Sequence, residues 1–222
     1  MFRDDYIMRM IRQFGQVYAA ILDRRRRGQP ILALIAIDTA YRERLGLGSE
    51  AVAELSDSQL LALVRFGEAE GSWREAGTFI AALLASEAHI LAEQGQPLDM
   101  APRALRALQL LLECQLAADT PLPEYAPSRD ELLLLLHDYR LPFKTRAALF
   151  TALEREGRYA LAEDVLANLL DEQPDLGLIE VGIAFYERLL GYEDAALAAG
   201  NLPRHEILTA LANLKAPSDQ KP

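Results

Sequence analysis

The sequence predicts an all-α chain built of antiparallel helix hairpins, and three observations carry that expectation. The composition is 51% hydrophobic but only 7% aromatic, and it is dominated by Leu and Ala, the residues least costly to place in helices. Apolar residues recur at spacings of three and four, and no segment alternates in the manner of a half-buried strand. Gly and Pro punctuate the chain between these stripes, where helices stop and restart. At 222 residues such a chain buries roughly 70% of its unfolded surface, so it folds without a metal or disulfide staple.

The first helix is expected from Asp4 or Asp5 to Arg26, with the aspartates at the positive end of the helix dipole. Its stripe runs through Tyr6, Ile7, Met10, Ile11, Phe14, Val17, Tyr18, Ile21 and Leu22. Gly28 and Pro30 break it, and a second stripe of Leu34, Ile37, Tyr41 and Leu45 ends at Gly46 and Gly48. So short a connection makes the two helices antiparallel. LSDSQLLALV reads as a short helix capped by Ser56 or Ser58, and residues 67–72 as a loop or kink. Trp73–Gln94 is a long helix, and the next opens at Ala101 or Pro102 after Gly95 and Pro97. Pro121, Pro123 and Pro127 make residues 118–128 the one candidate subdomain boundary within a domain spanning 1–215. Further helices are expected at Arg129–Tyr139, Pro142–Arg155, Ala160–Leu170, Leu176–Leu190, Glu193–Ala199 and Pro203–Leu214. The tail, 216–222, lacks apolar anchors and is expected to be disordered.

The clearest repeat unit is LFTALEREGRYALAEDVLANLLDEQP. Gly157 suits the positive φ that ends a helix, the small Ala162 permits close helix approach, and Pro174 terminates the unit. Tyr192 and Ala195 echo Tyr159 and Ala162 after 33 residues, and Gly28 and Ala33 keep the spacing of Gly157 and Ala162. Gly95 and Ala104 stand nine apart, implying an extended turn. These phrases resemble tetratricopeptide repeats, most strongly over residues 143–203, and the resemblance implies stacked hairpins in a short, irregular α–α superhelix. It also implies that Lys144, Ala147, Thr151, Glu154 and Arg155, with Glu180, Ala184 and Arg188 in the next unit, line an inner face that meets a partner. DYIMRMIRQF together with GRYALAEDVL is further similar to a family of uncharacterised bacterial proteins with tetratricopeptide-like folds. That similarity spans nearly the whole chain and implies no activity.

A net charge of −10 disfavours nucleic-acid binding, which needs cations to displace counterions. The charge is nevertheless uneven, with nine arginines against five acids in the first 44 residues and 14 bases against 28 acids in the remainder. Arg24, Arg25, Arg26 and Arg27 form the most conspicuous polar run. They suit a helix C-terminus, with some reaching neighbouring acids; the alternative is a site for anionic lipid, nucleic acid or an acidic partner. The broad first stripe suits core packing or homodimerisation better than a membrane surface. No apolar run approaches the roughly 20 residues of a bilayer span, and the N-terminus lacks a secretory pattern, so a cytoplasmic protein is expected. His89, His137 and His205 lie in separate segments, Cys114 sits in an apolar helical context, and no phosphate loop or nucleophile elbow occurs. No catalytic, metal or cofactor site is expected. The reading is a non-enzymatic protein–protein interaction scaffold; the alternatives are a ligand-binding or enzymatic bundle, or a self-assembling dimer.

Overall fold

A computed structural model describes residues 2–66, 72–172 and 175–216. The described residues form α-helices and no strand: α1 (Phe2–Arg26), α2 (Pro30–Leu45), α3 (Ser49–Glu54), α4 (Asp57–Phe66), α5 (Trp73–Glu93), α6 (Pro97–Leu116), α7 (Arg129–Leu135), α8 (Phe143–Arg155), α9 (Tyr159–Glu172), α10 (Leu176–Leu190), α11 (Asp194–Ala199) and α12 (Arg204–Lys215). They divide into two compact units, Met1–Leu141 and Pro142–Pro222. The expected loop at 67–71, Pro174 and the tail beyond Ala216 lie outside the described residues.

Unit 1 is built around α5. Its sequence is mostly apolar or small, and every residue from Ala76 to Ala88, Glu87 included, is buried, the pattern of a helix enclosed by its neighbours. By length and hydropathy α5 also qualifies as a membrane span, but 78% of that window is covered within the protein. It packs most extensively on α6, and also on α1, α4 and α2. Gly77 sets the closeness of the α5–α6 approach, since a Cβ there would stand 2.6 Å from Cys114 Sγ.

The turn chemistry repeats. Gly28-Gln29-Pro30 and Gly95-Gln96-Pro97 share one construction, with the glycines at φ +67° and +68°. In each, the glycine N–H and the following glutamine N–H bond back to the preceding helix, Gly28 to Arg25 and Gln29 to Arg24, Gly95 to Ala92 and Gln96 to Leu91. Proline then starts the next helix, where its fixed φ suits the first helical position. The Gly95 turn is therefore tight, and the extended turn expected from the Gly95–Ala104 spacing does not form. α6 accordingly begins at Pro97, with Pro102 inside it. The bond that Pro102 cannot make would have gone to Leu98, which is exposed to solvent. Ser56 caps α4 reciprocally: its Oγ accepts from Gln59 N at 3.3 Å, and Gln59 Oε1 accepts from Ser56 N at 2.9 Å. α3 was not expected; with Val52 as its one buried residue, it carries no stripe to read.

Two charged groups lie inside unit 1. Glu87 of α5 accepts a hydrogen bond from Tyr41 Oη (3.2 Å) and faces Arg103 Nε at 3.4 Å, tying α2 and α6 to α5. Burial pushes its carboxyl above the usual range, against the pull of Arg103. Arg74, the second residue of α5, donates to Cys114 O (2.8 Å), Thr120 Oγ1 (3.0 Å), Pro121 O (3.3 Å) and the Thr120 carbonyl. It thereby satisfies oxygens that the end of α6 leaves open. Five residues on, Tyr125 enters the core. Its ring meets the stacked Phe14–Phe79 pair edge-on at 6.0 Å from each, and its hydroxyl donates to Glu75 O at 3.0 Å. The proline-rich segment is thus strapped to unit 1 at two points, and the division of the chain falls beyond it, at Leu141 and Pro142.

Unit 2 has one-sided helices around a smaller core that includes Phe150, Leu166, Phe185, Leu189 and Ile207. α8 ends at Gly157 (φ +72°), with Gly157 N bonded to Glu154 O and Arg158 N to Leu153 O, the same glycine device as in unit 1. The echo of Tyr159 and Ala162 at Tyr192 and Ala195 does not produce equivalent helices. Tyr159 and Ala162 are buried, and Tyr159 opens the fourteen-residue α9. Tyr192 and Ala195 are exposed, and α11 has only six residues before Gly200. Gly200 instead caps α9, its carbonyl accepting from Ala160 N at 3.0 Å. Arg204, the first residue of α12, donates to Leu190 O (2.9 Å) and Tyr192 O (2.6 Å) and pairs with Asp194 at 2.6 Å.

Candidate functional site

Strapping the proline-rich segment to unit 1 leaves an open cleft of about 570 Å³ beneath it. Tyr18, Leu22, Arg25 and Arg26 of α1 form one wall, and Ala85, His89 and Glu93 of α5 form the floor. Glu124, Ala126, Pro127 and Ser128 of the connector, with Glu131 of α7, form the opposite wall. Ser128 holds this last corner by capping α7, its Oγ accepting from Glu131 N at 3.2 Å. Apolar side chains and charged groups thus share the lining.

The charges are less basic than the arginine run suggests. Arg25 is neutralised across the cleft, its Nη2 standing 2.8 Å from Glu93 Oε1. His89 faces Glu131, with Nε2 3.7 Å from Oε2. Burial and then the charge of Arg25 push the His89 pKa down, against Glu131 and Glu93, so the ring is neutral at pH 7. The Tyr18 phenol is pushed up by burial, although the neighbouring Ser86 hydroxyl and Arg25 oppose this. Once Arg25 and Glu93 cancel, the cleft holds Arg26 against Glu124 and Glu131.

The four arginines diverge. Arg24 Nη1 bonds the Ala20 carbonyl of its own helix at 3.3 Å, Arg25 crosses to Glu93, and Arg27 pairs with Asp23 one turn back at 2.9 Å. Arg26 points to the exposed edge of the cleft. In unit 2, Lys144, Thr151 and Arg155 lie on one face of α8, at helical spacings of seven and four. Lys144 and Arg155 are exposed, whereas the Thr151 hydroxyl turns back to Ala147 O at 3.0 Å. Arg188 of α10 forms a two-bond pair with Glu154 of α8, both bonds 2.9 Å.

Cys114 is fully buried, and burial pushes its thiol up to about 12, away from the nucleophilic thiolate. Among the described residues no three His, Cys, Asp or Glu side chains converge as a metal site would need. Spacing does not reveal the cleft residues, because Tyr18, His89, Glu124 and Glu131 come from four separate segments. The signal that was present is compositional: the proline-rich stretch marks the wall, and the arginine run marks the rim.

The chain belongs to a family of unknown function, DUF6483, which matches residues 1–218. No curated protein and no solved structure matches it.

Proposed function

We propose that this family member is a non-enzymatic protein–protein interaction scaffold of tetratricopeptide-like hairpins, working in the cytoplasm of a bacterium, and that the unit 1 cleft is where it takes a protein or peptide partner. One observation carries the reading: an open cleft of about 570 Å³ mixes apolar residues (Leu22, Ala126, Pro127) with charged ones (Arg26, Glu124, Glu131), on walls fixed by Arg74 and Tyr125. Rigid walls around an open groove suit an extended segment, because little ordering cost falls on the receptor. Recurrence of the glycine-ended hairpin at Gly28, Gly95 and Gly157 supports the repeat character. The Lys144–Thr151–Arg155 face of α8 is a second surface available to the same scaffold.

The test is photo-crosslinking in the native host, with a benzophenone amino acid at Ala126 or Arg26 and a control at Thr209. Discrete protein adducts from the cleft positions alone are expected. A cleft that yields no adduct, while a small metabolite co-purifies with the chain, would sink the proposal in favour of a ligand-binding or enzymatic bundle.

Self-association is a second reading with its own observation. The apolar residues left uncovered on the first hairpin include Ile31, Leu32 and Ile35 of α2, exposed by 69, 49 and 57%, together with Tyr6 and Met8 of α1. Light scattering of the full chain and of Ile31→Lys/Ile35→Lys decides it: a dimer that this pair converts to monomer supports it, and a monomeric parent ends it.

A further inference from the structure

Resting on the cleft being the binding site, we infer that it takes an extended peptide segment through a lysine or arginine side chain, whose aliphatic stem lies on Leu22 and Pro127 and whose cationic end meets Glu131 and Glu124. The sequence points the other way, since the nearest motif is a run of four arginines. Geometry reverses that expectation. Arg24 and Arg27 are turned back onto α1, and Arg25 is spent on Glu93.

The acids on the opposite wall are not spent in this way. Among the described residues the Glu131 carboxylate has only a ring nitrogen at 3.7 Å, and a neutral imidazole leaves the carboxylate its charge. Glu124 stands exposed on the strap, with no ion pair among the described residues. A carboxylate that no cation neutralises attracts a basic side chain on the modest scale of a surface ion pair, and the apolar residues beside it give the stem of that side chain a surface to cover. A long basic side chain suits both features, because its methylenes cover apolar surface while its charge stays at the rim. Arg26, at the open edge, meets the carbonyls or acidic neighbours of such a segment. The volume of about 570 Å³ exceeds what one amine fills, which favours a peptide over a free polyamine.

Protonation of His89 opposes this cation. The charged groups around the ring are Arg25 and Arg26 on α1, Glu93 on α5, Glu124 on the strap and Glu131 on α7, with the Tyr18 phenol beside them. A positive His89 pairs with Glu131 and adds a like charge where the ligand's cation sits, so acid weakens binding.

The experiment is amide-resolved NMR titration of the full chain with blocked peptides Ala-Ala-Lys-Ala-Ala, Ala-Ala-Gln-Ala-Ala and Ala-Ala-Glu-Ala-Ala, and with spermidine. The lysine peptide is expected to shift the signals of Tyr18, His89 and Glu131, and the other two peptides to leave them in place. Glu131→Gln should weaken the lysine peptide about fivefold, the scale of a partly exposed ion pair. Glu43→Gln, the same charge change at an exposed position of α2 outside the cleft, should leave it bound, which shows that loss in the first variant is not general damage. Acidification from about pH 7 to pH 5 should weaken binding in the parent but not in His89→Gln. Preference for the glutamate peptide at the same residues overturns the cationic class while keeping the cleft as the site. Spermidine binding as tightly as the lysine peptide overturns the peptide occupant. No shift at the cleft with any probe overturns this inference; the crosslinking experiment then shows whether the site itself falls with it.

Discussion

Units 1 and 2 use one device in two settings. In each, an arginine at the start of a helix closes the open carbonyls at the end of another: Arg74 of α5 for α6, and Arg204 of α12 for α10. Arg74 is 8% exposed and its partners are mostly main-chain oxygens. The Arg204 side chain is 36% exposed and shares its charge with Asp194, which is 78% exposed. The same residue type is therefore a core element in one unit and a surface latch in the other. Water decides the difference, because carbonyls that lose a partner at the surface regain one from solvent, whereas buried ones do not.

The largest expected effect follows from that contrast. Arg74→Leu should destabilise unit 1 by about 4 kcal/mol, since several buried acceptors lose their donor together, and Arg204→Leu should cost unit 2 about 1 kcal/mol or less. Trp73 is the sole tryptophan and lies next to Arg74, so its fluorescence in urea reports unit 1; hydrogen exchange of α10 and α12 reports unit 2. Equal costs would break the comparison.

Glycines sharpen it in the opposite sense. At Gly200 a Cβ would collide with the Tyr159 ring and stand 2.6 Å from the Gly157 carbonyl oxygen, whereas at Gly77 it meets the Cys114 sulfur, a side-chain atom. Gly200→Ala should therefore cost about 3 kcal/mol and Gly77→Ala about 2 kcal/mol. Adding Cys114→Ala should recover part of the loss at Gly77, as a coupling in a double-mutant cycle. An additive result would mean that the α5–α6 approach is not set by this contact.

The smallest effect is a slope with pH. Folding lowers the pKa of His89 below its ordinary value of 6.5, so between the folded and unfolded values the unfolded chain holds more protons. Stability of unit 1 is then full above about pH 6.5 and is lost as pH falls through the folded value. His89→Gln should flatten chemical-denaturation midpoints in that window, and an unchanged slope would assign it to other groups.

Much of the helix layout was legible. The stripes of α1 and α2 place Met10, Phe14, Ile21, Ile37 and Tyr41 in the core by periodicity alone, and the largely apolar α5 reads as a long helix. Ser56 and the glycine stops were visible as local chemistry. Three things were not. α3 has one buried anchor, so periodicity has nothing to count. The Tyr192–Ala195 echo copies the residues of a helix start but not the length behind it, because Gly200 and Pro203 end α11 early. The strap read as a boundary because proline density reports only the absence of helix; what holds it, Arg74 and Tyr125, lies in the α5 core and at one aromatic residue between prolines. The cleft was hidden for the same reason, being assembled from segments far apart in the chain.

Arg74 grips the strap mainly by its peptide oxygens, which every amino acid supplies. The positions between that grip and Ser128, apart from Tyr125, can therefore change identity without loosening the fold, much as a loop grafted onto a fixed frame. The wall at Glu124, Ala126 and Pro127 is in that sense a replaceable cassette, whose side chains can vary while the helices beneath it stay as they are.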